Sequence, residues 1–588
     1  MDKPPNINGF FSRLLIDRLV NEGISYYIIS PGSRSTPLAV AASEHPQVKT
    51  KVIIDERSAA FYALGYARAS GCAPGLICTS GTAVANYFPA IVEAYQSRLP
   101  LVVLSADRPQ DLQDCGANQT ISQRNIYGRF AVCLAFDAPD DTLDPETVLD
   151  EIEKVVKKTW VQGSRMSMPL HINCSFREPL APDEENYNHK QLNSKVAKWY
   201  KNRPVDLTGY NLPDYGDDIK WLAEQIKKRK KGIIIAGPET KYRHCAKIGM
   251  VSDKLNWPIL ADVLSQVRFV TQEIAGYPIG MYDSYIDSGD AIKHLKPEMI
   301  IHFGGLPTSK RLNQYLLSLK GIPYIKIQNH ERTIDPDGIE TRRIMAEPNL
   351  LVDQLLAQIS TAPDKKYLAG WVKTDYQCLT ELNRLEADGD LSEFTVPKSL
   401  VEILPTKDAL FLSNSMPVRD ADSFMPVSRK ALQVGANRGA SGIDGIIASA
   451  CGFSAACERP VTILIGDLAF LHDIGSLRLV SEAEKPVIII VINNNGGGIF
   501  SFLPIAKHEK VFEEYFGTPQ KIDCQAAAQM TGITYDAPET LQQFKDACSM
   551  LVKENRSGLI EVTTDRTKNV KLHNTIRETI CQVLSNSK

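Results

Sequence analysis

The stretch IGDLAFLHDIGSLRLVSEAEKPVIIIVINNNGGGIF, Ile465 to Phe500, reads as a strand, a helix and a second strand. In a βαβ unit the two strands run parallel, so their C-terminal ends meet at one rim of the sheet. Asp467 and Asn494 are therefore expected to converge. Ligands of open α/β sheets lie in the crevice outside those ends. A carboxylate, an amide oxygen and a backbone carbonyl in the turn at Gly496 form an all-oxygen set suited to a hard cation such as Mg²⁺. With so few protein ligands, such a cation completes its shell with phosphate oxygens and water, so the pattern reads as half of a diphosphate clamp. A Gly-Asp pair at a strand end serves equally well as a helix N-cap. The NNNGGG run at the neighbouring strand end favours the ligand site.

Working outward, the same alternation fills the chain. The first 190 residues carry the runs YYIIS (Tyr26 to Ser30), KVIID (Lys51 to Asp55), GLICTS (Gly75 to Ser80) and LVVLSA (Leu101 to Ala106). A polar segment from Arg177 to Lys195 is a linker candidate. A second set follows: GIIIAG (Gly232 to Gly237), PILADV (Pro258 to Val263), MIIHFGG (Met299 to Gly305) and YIKIQ (Tyr324 to Gln328), ending near STAPDKK at Ser360 to Lys366. The third holds ALFLSNS (Ala409 to Ser415), VTILIGD (Val461 to Asp467) and VIIIVINNN (Val487 to Asn495). Continuous apolar strands alternating with helices mean parallel sheets covered on both faces. The expected fold class is α/β, with three doubly wound domains at 1–190, 205–365 and 375–588. A length of 588 residues is too great for a single core and agrees with several domains.

Composition excludes some function classes. With 66 basic against 69 acidic residues the formal net charge is -3, so nothing global recruits nucleic acid or a membrane surface, and anionic ligands must be held by local clusters of Arg and Lys. The 12 cysteines are scattered without a CxxC pair, which suits reduced thiols in a cytosolic protein. The segment from Met1 to Gly23 is interrupted by Arg13, Asp17 and Arg18 and reads as an amphipathic helix, not a signal peptide. The longest apolar runs are strand-sized, far short of a bilayer span. A cytoplasmic protein is expected.

One acid needs a reason. In VIIDERSAAFYALGYARAS, Val52 to Ser70, Glu56 directly follows an expected strand ending at Asp55, where an ionised carboxylate is costly unless paired. A helix N-terminal acid favoured by the macrodipole is the ordinary explanation. The diphosphate site read above supplies another.

GDL at Gly466 to Leu468, with NNN at Asn493 to Asn495, resembles the GDG…NN signature of thiamine-diphosphate enzymes, with Leu468 in place of the signature's second glycine. GDL with NNNGG resembles one branch in particular, the menaquinone-pathway 2-succinyl-5-enolpyruvyl-6-hydroxy-3-cyclohexene-1-carboxylate synthases (MenD). Further blocks match that branch in order: SPGSRSTPL (Ser30 to Leu38), DERSAAFYALGYAR (Asp55 to Arg68), TSGTAVAN (Thr79 to Asn86), SADRP (Ser105 to Pro109), GANQTI (Gly116 to Ile121), SKRL (Ser309 to Leu312), NSMPVRD (Asn414 to Asp420) and NRGASGIDG (Asn437 to Gly445). The central domain matches least.

The resemblance implies a pyrimidine-binding domain, a central domain and a diphosphate-binding domain, with thiamine diphosphate and Mg²⁺ or Mn²⁺ as cofactors. It implies that Glu56 hydrogen-bonds the cofactor's aminopyrimidine N1′, that Ile443 is the aliphatic wedge bending the cofactor, that Ser415 and Gly442 also contact it, and that Asp467, Asn494 and Gly496 hold the metal. For Ile443 the ordinary alternative is a core isoleucine. The implied reaction decarboxylates 2-oxoglutarate and adds the succinyl unit to isochorismate. Arginine forks suit such carboxylate-rich substrates. By resemblance Ser415, Arg419 and Arg438 lie near the 2-oxoglutarate-derived part, and Ser33, Arg34, Arg108, Asn118, Gln119, Lys310 and Arg311 toward isochorismate. Ile499, Phe500 and Leu503 would form an apolar wall excluding water, or else plain core. A homodimer or homotetramer with active sites at subunit interfaces is implied. Two alternatives stay open: a sister 2-oxoacid decarboxylase or acetolactate-synthase-like enzyme, and a non-catalytic protein on the same scaffold.

Overall fold

The computed structural model describes residues 4–159, 168–203, 215–238, 242–270, 276–359, 364–387 and 390–586. Residue 205, where the central domain was expected to begin, and 360–363 of the STAPDKK boundary lie outside them. The chain divides into two compact units, Met1–Asn211 with Asn437–Glu458, and Leu212–Ala436 with Arg459–Lys588.

The first unit is built on one six-stranded parallel sheet. Its strands are β1 (Tyr26–Ile29), β2 (Lys49–Val52), β3 (Gly75–Cys78), β4 (Val102–Asp107), β5 (Val132–Phe136) and β6 (Leu170–Ser175), in the order β2-β1-β3-β4-β6-β5. Residues of β3, β4 and β6 are buried throughout, as befits strands covered on both faces. Two strands escaped the sequence reading, β5 and β6. The latter, LHINCS, carries His171 and Asn173 fully buried, which breaks the apolar signature. Both are satisfied across the sheet. The Ser105 hydroxyl donates to Asn173 Oδ1 at 2.8 Å and lies 2.7 Å from His171 Nε2, while Asn173 Nδ2 donates to Asp107 Oδ2 at 2.8 Å. Burial lowers the His171 pKa to about 4, so the imidazole is neutral and its Nε2–H donates to Ser105.

The expected strand Lys51 to Asp55 is shifted. Pairing with β1 runs from Lys49 to Val52, at the exposed sheet edge, and the chain then leaves the sheet. Asp55 instead caps the helix Glu56–Ser70, its carboxylate accepting from Arg57 N at 2.9 Å and Ser58 N at 3.5 Å, and Gly71 closes the other end at φ 73°. This helix packs on Ile446–Cys457, and small residues let the backbones approach closely. A Cβ on Gly65 would sit 1.8 Å from Ser449 O, and one on Gly452 would sit 1.9 Å from Tyr62 O. Ser449 Oγ donates to Phe61 O at 3.1 Å across the same crossing. Gly65→Ala improves helix propensity by about 1 kcal/mol. A backbone oxygen cannot swing aside, however, and the overpacking cost of about 1–3 kcal/mol prevails. The substitution should lower the Tm, measurable by thermal unfolding of the full chain. An unchanged or raised Tm would mean that the two helices do not pack this closely.

The second unit contains two six-stranded parallel sheets. The first comprises β7 (Gly232–Ala236), β8 (Ile259–Ala261), β9 (Pro278–Ile279), β10 (Met299–Phe303), β11 (Tyr324–Gln328) and β12 (Arg342–Met345), ordered β12-β11-β10-β7-β8-β9. This is the doubly wound order of dinucleotide-binding folds. The second comprises β13 (Ala409–Leu412), β14 (Gln433–Gly435), β15 (Val461–Gly466), β16 (Val487–Asn493), β17 (Thr534–Asp536) and β18 (Gly558–Thr563), ordered β14-β13-β15-β16-β18-β17. That order repeats the first unit's sheet strand for strand. In both sheets the order reverses between the first and third strands, which places the ligand crevice at the carboxyl ends of β1 and β3, and of β13 and β15.

A buried ion pair fastens the two sheets of this unit. Arg268 is fully buried and its guanidinium donates to Asp422 Oδ1 at 2.9 Å, Asp422 O at 2.7 Å, Met425 O at 2.7 Å and Ala261 O at 3.1 Å. Tyr282 OH adds a bond to Asp422 Oδ1 at 3.0 Å. The arginine's charge is thus spread over a full set of acceptors, the condition under which burying it is tolerable. No described helix is long and apolar enough to cross a membrane.

Candidate active site

In the second unit, β15 and β16 pair in parallel register through Gly466 and Ile492, so the residues that follow each strand emerge side by side. Asp467, 2% exposed, opens the helix Asp467–His472. Its Oδ1 accepts from Leu468 N at 2.8 Å and its Oδ2 from Gly496 N at 2.7 Å. The expected convergence of these strand ends is therefore observed. Burial raises the Asp467 pKa, opposed by those two amide bonds and by the charge of Arg566. Gly496 has φ 131°, and a Cβ there would lie 1.9 Å from Gly517 O, so only glycine fits the turn. Asn494, 7% exposed, donates from Nδ2 to Glu393 Oε1 at 3.0 Å, while its Oδ1 is buried without any hydrogen-bond partner.

An orphaned amide oxygen beside a buried carboxylate and a glycine turn is the donor set a hard cation would complete. Among the described residues no group of three or more His, Cys, Asp or Glu could hold a metal. A cation here would take the single Asp467 carboxylate together with amide and carbonyl oxygens.

Next to these strands, β13 ends in the Ser413–Ser415 turn. Ser415 adopts φ 70° at the start of the helix Met416–Phe424, and its carbonyl accepts from Arg419 Nη1 at 2.5 Å. Both residues are half-buried. Beyond β16, Ile499 and Phe500 are half-buried in a 3-10 turn, and Phe500 meets Phe516 edge to face at 5.6 Å. Leu503 is 40% exposed and is not a core residue. Lys310 and Arg311 open the helix Lys310–Ser318, where cations oppose the helix dipole. Lys310 is exposed, whereas Arg311 Nη1 donates to Asp283 Oδ2 at 2.6 Å, so its guanidinium is already anchored by a carboxylate.

Sequence reasoning missed Glu393. It lies 101 positions from Asn494 and precedes the helix Thr395–Ile403, where an acid is unremarkable. Burial, then the charge of Asp420, pushes its pKa up to about 7, against the pull of bonds from Asn494 and Thr564.

In the first unit, Glu56 is half-buried at the first position of its helix, and its charge helps raise the pKa of the buried Tyr87 hydroxyl and Cys78 thiol, both shifted chiefly by burial. At the carboxyl end of β1, Ser33 is exposed and its carbonyl accepts from Thr36 N at 3.1 Å. Arg34 is 6% exposed, donates to Phe176 O at 3.0 Å and lies 3.6 Å from Glu178 Oε1. Its pKa is lowered by burial and then by the neighbouring charge of Arg108. Arg108, after β4, is half-buried, and its Nε is buried with no hydrogen-bond partner. Arg34 thus feels a second guanidinium as well as the Glu178 carboxylate, and an anionic ligand would relieve the repulsion between the two cations.

Gln119 stands at φ 56° beside Gly81, with Nε2 donating to Ser80 O at 2.9 Å, and Asn118 next to it is exposed. The loop 437–445 also belongs to this unit. Glu93, 3% exposed, grips it by accepting from Gly439 N at 2.7 Å and Ala440 N at 2.6 Å. Arg438 and Gly442 are half-buried on this loop, and Ile443 is 38% exposed, which rules out its alternative as a core isoleucine.

Known proteins resemble this chain along most of its length. Family models match the thiamine pyrophosphate enzyme N-terminal binding domain at residues 11–126, the middle domain at 183–412 and the C-terminal binding domain at 422–562. The 2-succinyl-5-enolpyruvyl-6-hydroxy-3-cyclohexene-1-carboxylate synthase of Rubrobacter xylanophilus is 37% identical over 577 residues, covering 97% of this chain and 98% of the relative. That of Prosthecochloris aestuarii is 38% identical over 580 residues, covering 98% and 97%. Among solved structures, benzoylformate decarboxylase from Polynucleobacter necessarius superposes with a TM-score of 0.67 at 15% identity, covering 94% of this chain and 98% of that one, and so shares the fold. With its three α/β sheets, its thiamine pyrophosphate binding domains and its full-length likeness to those synthases, this chain belongs to the 2-succinyl-5-enolpyruvyl-6-hydroxy-3-cyclohexene-1-carboxylate synthase family of thiamine-diphosphate enzymes.

Proposed function

We propose that the protein decarboxylates 2-oxoglutarate and adds the succinyl unit to the ring alkene of isochorismate, releasing CO₂ and 2-succinyl-5-enolpyruvyl-6-hydroxy-3-cyclohexene-1-carboxylate for menaquinone biosynthesis. The full-length likeness to curated synthases carries this reading. The proposed domains are a pyrimidine-binding domain at 1–190, a central domain at 205–365 and a diphosphate-binding domain at 375–588. Bound thiamine diphosphate supplies the electron sink that makes loss of CO₂ possible.

The chain's own residues do the rest. Asp467, the Asn494 amide oxygen and a Gly496 carbonyl hold Mg²⁺ or Mn²⁺ against the diphosphate, a role that the partnerless Asn494 Oδ1 supports. Glu56 holds a proton at N1′ of the aminopyrimidine, with Ile443, Gly442 and Ser415 against the cofactor. Ser415, Arg419 and Arg438 anchor the 2-oxoglutarate carboxylate. Ser33, Arg34, Arg108, Asn118, Gln119, Lys310 and Arg311 receive isochorismate, and Ile499, Phe500 and Leu503 keep water off the reacting carbon. The active assembly is a homo-oligomer, dimer or tetramer, with sites at subunit interfaces.

Incubation of the purified protein with thiamine diphosphate, Mg²⁺, 2-oxoglutarate and isochorismate should yield the adduct, identified by mass spectrometry. CO₂ release without adduct would favour the sister decarboxylase, and no turnover of either substrate would favour a non-catalytic scaffold. The division of the cations is open to a separate check. Arg34→Ala removes one charged hydrogen bond, worth about 1.5–3 kcal/mol, and should slow adduct formation roughly ten- to hundred-fold. Single-turnover decarboxylation of 2-oxoglutarate alone should be untouched. Arg419→Ala should instead impair that first half-reaction. Equal impairment of the first step in both variants would mean that the cations act as a single field.

A further inference from the structure

The buried carboxylate of Glu393, 2% exposed, lies directly behind Asn494. Its Oε1 accepts from Asn494 Nδ2 at 3.0 Å and from Thr564 Oγ1 at 2.9 Å. Thr564 is itself fixed, its backbone N donating to Asn493 O at 2.9 Å. A side-chain amide has two faces: two N–H donors on one side and an acceptor oxygen on the other. Only the NH₂ can meet a carboxylate. The bond to Glu393 therefore decides which end of the Asn494 amide is spent inside the protein and which is left over, and what is left over is the partnerless Oδ1. The NH₂ is also hemmed in from below, since a Cβ on Gly498 would lie 2.6 Å from Nδ2.

We propose that Glu393 is a positioning residue for the cation site, fixing the Asn494 amide so that its oxygen, and not its NH₂, is offered to the metal. This rests on the reading of Asp467, Asn494 and Gly496 as the cation-holding set. An amide free to turn would present N–H donors to the cation in half of its orientations. Carboxylates that orient a metal ligand from behind are a general device, and removing one typically costs about 10–100-fold in metal affinity.

The test is a calorimetric titration of Mg²⁺ into the full chain at saturating thiamine diphosphate, with apoprotein Tm recorded in parallel. Glu393→Leu should weaken Mg²⁺ about 10–100-fold. Glu393→Gln retains an oxygen that accepts both bonds and should bind Mg²⁺ near wild-type strength. A residue that only supported the fold would move Tm in both variants without separating their affinities. Should Glu393→Leu fail to fold, a second pair decides. Glu393→Asp draws the carboxylate back from the Asn494 amide and should weaken Mg²⁺, whereas Glu393→Gln keeps the bond and should not.

Weaker Mg²⁺ binding in Glu393→Asp than in Glu393→Gln supports the proposal, and equal binding overturns it. Glu393→Leu and Glu393→Gln that bind Mg²⁺ equally, whether both strong or both weak, overturn it as well. Wild-type protein that takes up thiamine diphosphate without any Mg²⁺ dependence overturns the cation-site reading and the proposal with it. Metal dependence intact in the wild type and unchanged in the Glu393 variants overturns the proposal alone.

Discussion

Asp467→Ala is expected to abolish metal-dependent binding of thiamine diphosphate. Two effects act together. The diphosphate brings concentrated negative charge to a strand end whose only described acid among the proposed ligands is Asp467, so without that carboxylate the cation has no anionic anchor. The same carboxylate organises the turn: Leu468 N and Gly496 N both donate to it, and each buried donor left unpaired costs about 1–3 kcal/mol. The variant should therefore also unfold at a lower temperature. Asp467→Asn helps to separate the two contributions, because its amide oxygen can still accept one of the two backbone N–H bonds but carries no charge. It should recover part of the Tm and little of the cofactor binding. Calorimetry of Mg²⁺ and thiamine diphosphate reads the outcome. Binding at wild-type strength in Asp467→Ala would place the diphosphate elsewhere.

Glu56→Gln should produce the opposite profile, with cofactor affinity and Tm close to wild type and turnover lower by about 10²–10⁴-fold, the range over which a positioned proton-transfer group acts. The side chain is not the cap of its helix. Asp55 accepts the first-turn N–H bonds, so neutralising Glu56 leaves the helix start intact. Asp55→Ala supplies the contrast, since losing a cap costs about 0.5–2 kcal/mol in stability. A Glu56→Gln variant with full turnover would reduce Glu56 to an ordinary first-turn acid. The two inactive variants also test the proposed sharing of sites between subunits. Mixed under conditions of verified subunit exchange, Glu56→Gln and Asp467→Ala should regain part of the activity through hybrid assemblies. No recovery would assign each site to one chain.

The sequence by itself determined the α/β class, most interior strands and the convergence of the strand ends that carry Asp467 and Asn494. These follow from local rules: apolar runs of strand length, and a βαβ crossover whose handedness and parallel direction leave little freedom. VTILIGD and VIIIVINNN therefore led to the right strand ends, β15 closing at Gly466 and β16 at Asn493. The strands it missed are mostly peripheral, as with β5, β9 and β17, or carry polar residues, as β6 does with His171 and Asn173. Burial of those side chains is tolerable only because Ser105 and Asp107 on another strand complete their hydrogen bonds, which no local pattern records.

Only the tertiary structure decided the rest. It set the strand order that repeats from the first sheet to the third, joined the segment Asn437–Glu458 to the first unit, and placed Ile443 in the open. It also separated cations that look alike in sequence: Arg311 is half-buried and paired with Asp283, Arg34 is buried and repelled by Arg108, and Lys310 is exposed. Glu393 was invisible for the same reason. An acid beside a helix start has no distinguishing feature until a chain 101 positions away brings an asparagine within 3.0 Å, because hydrogen-bond partners of buried polar groups are chosen by the packing of distant segments.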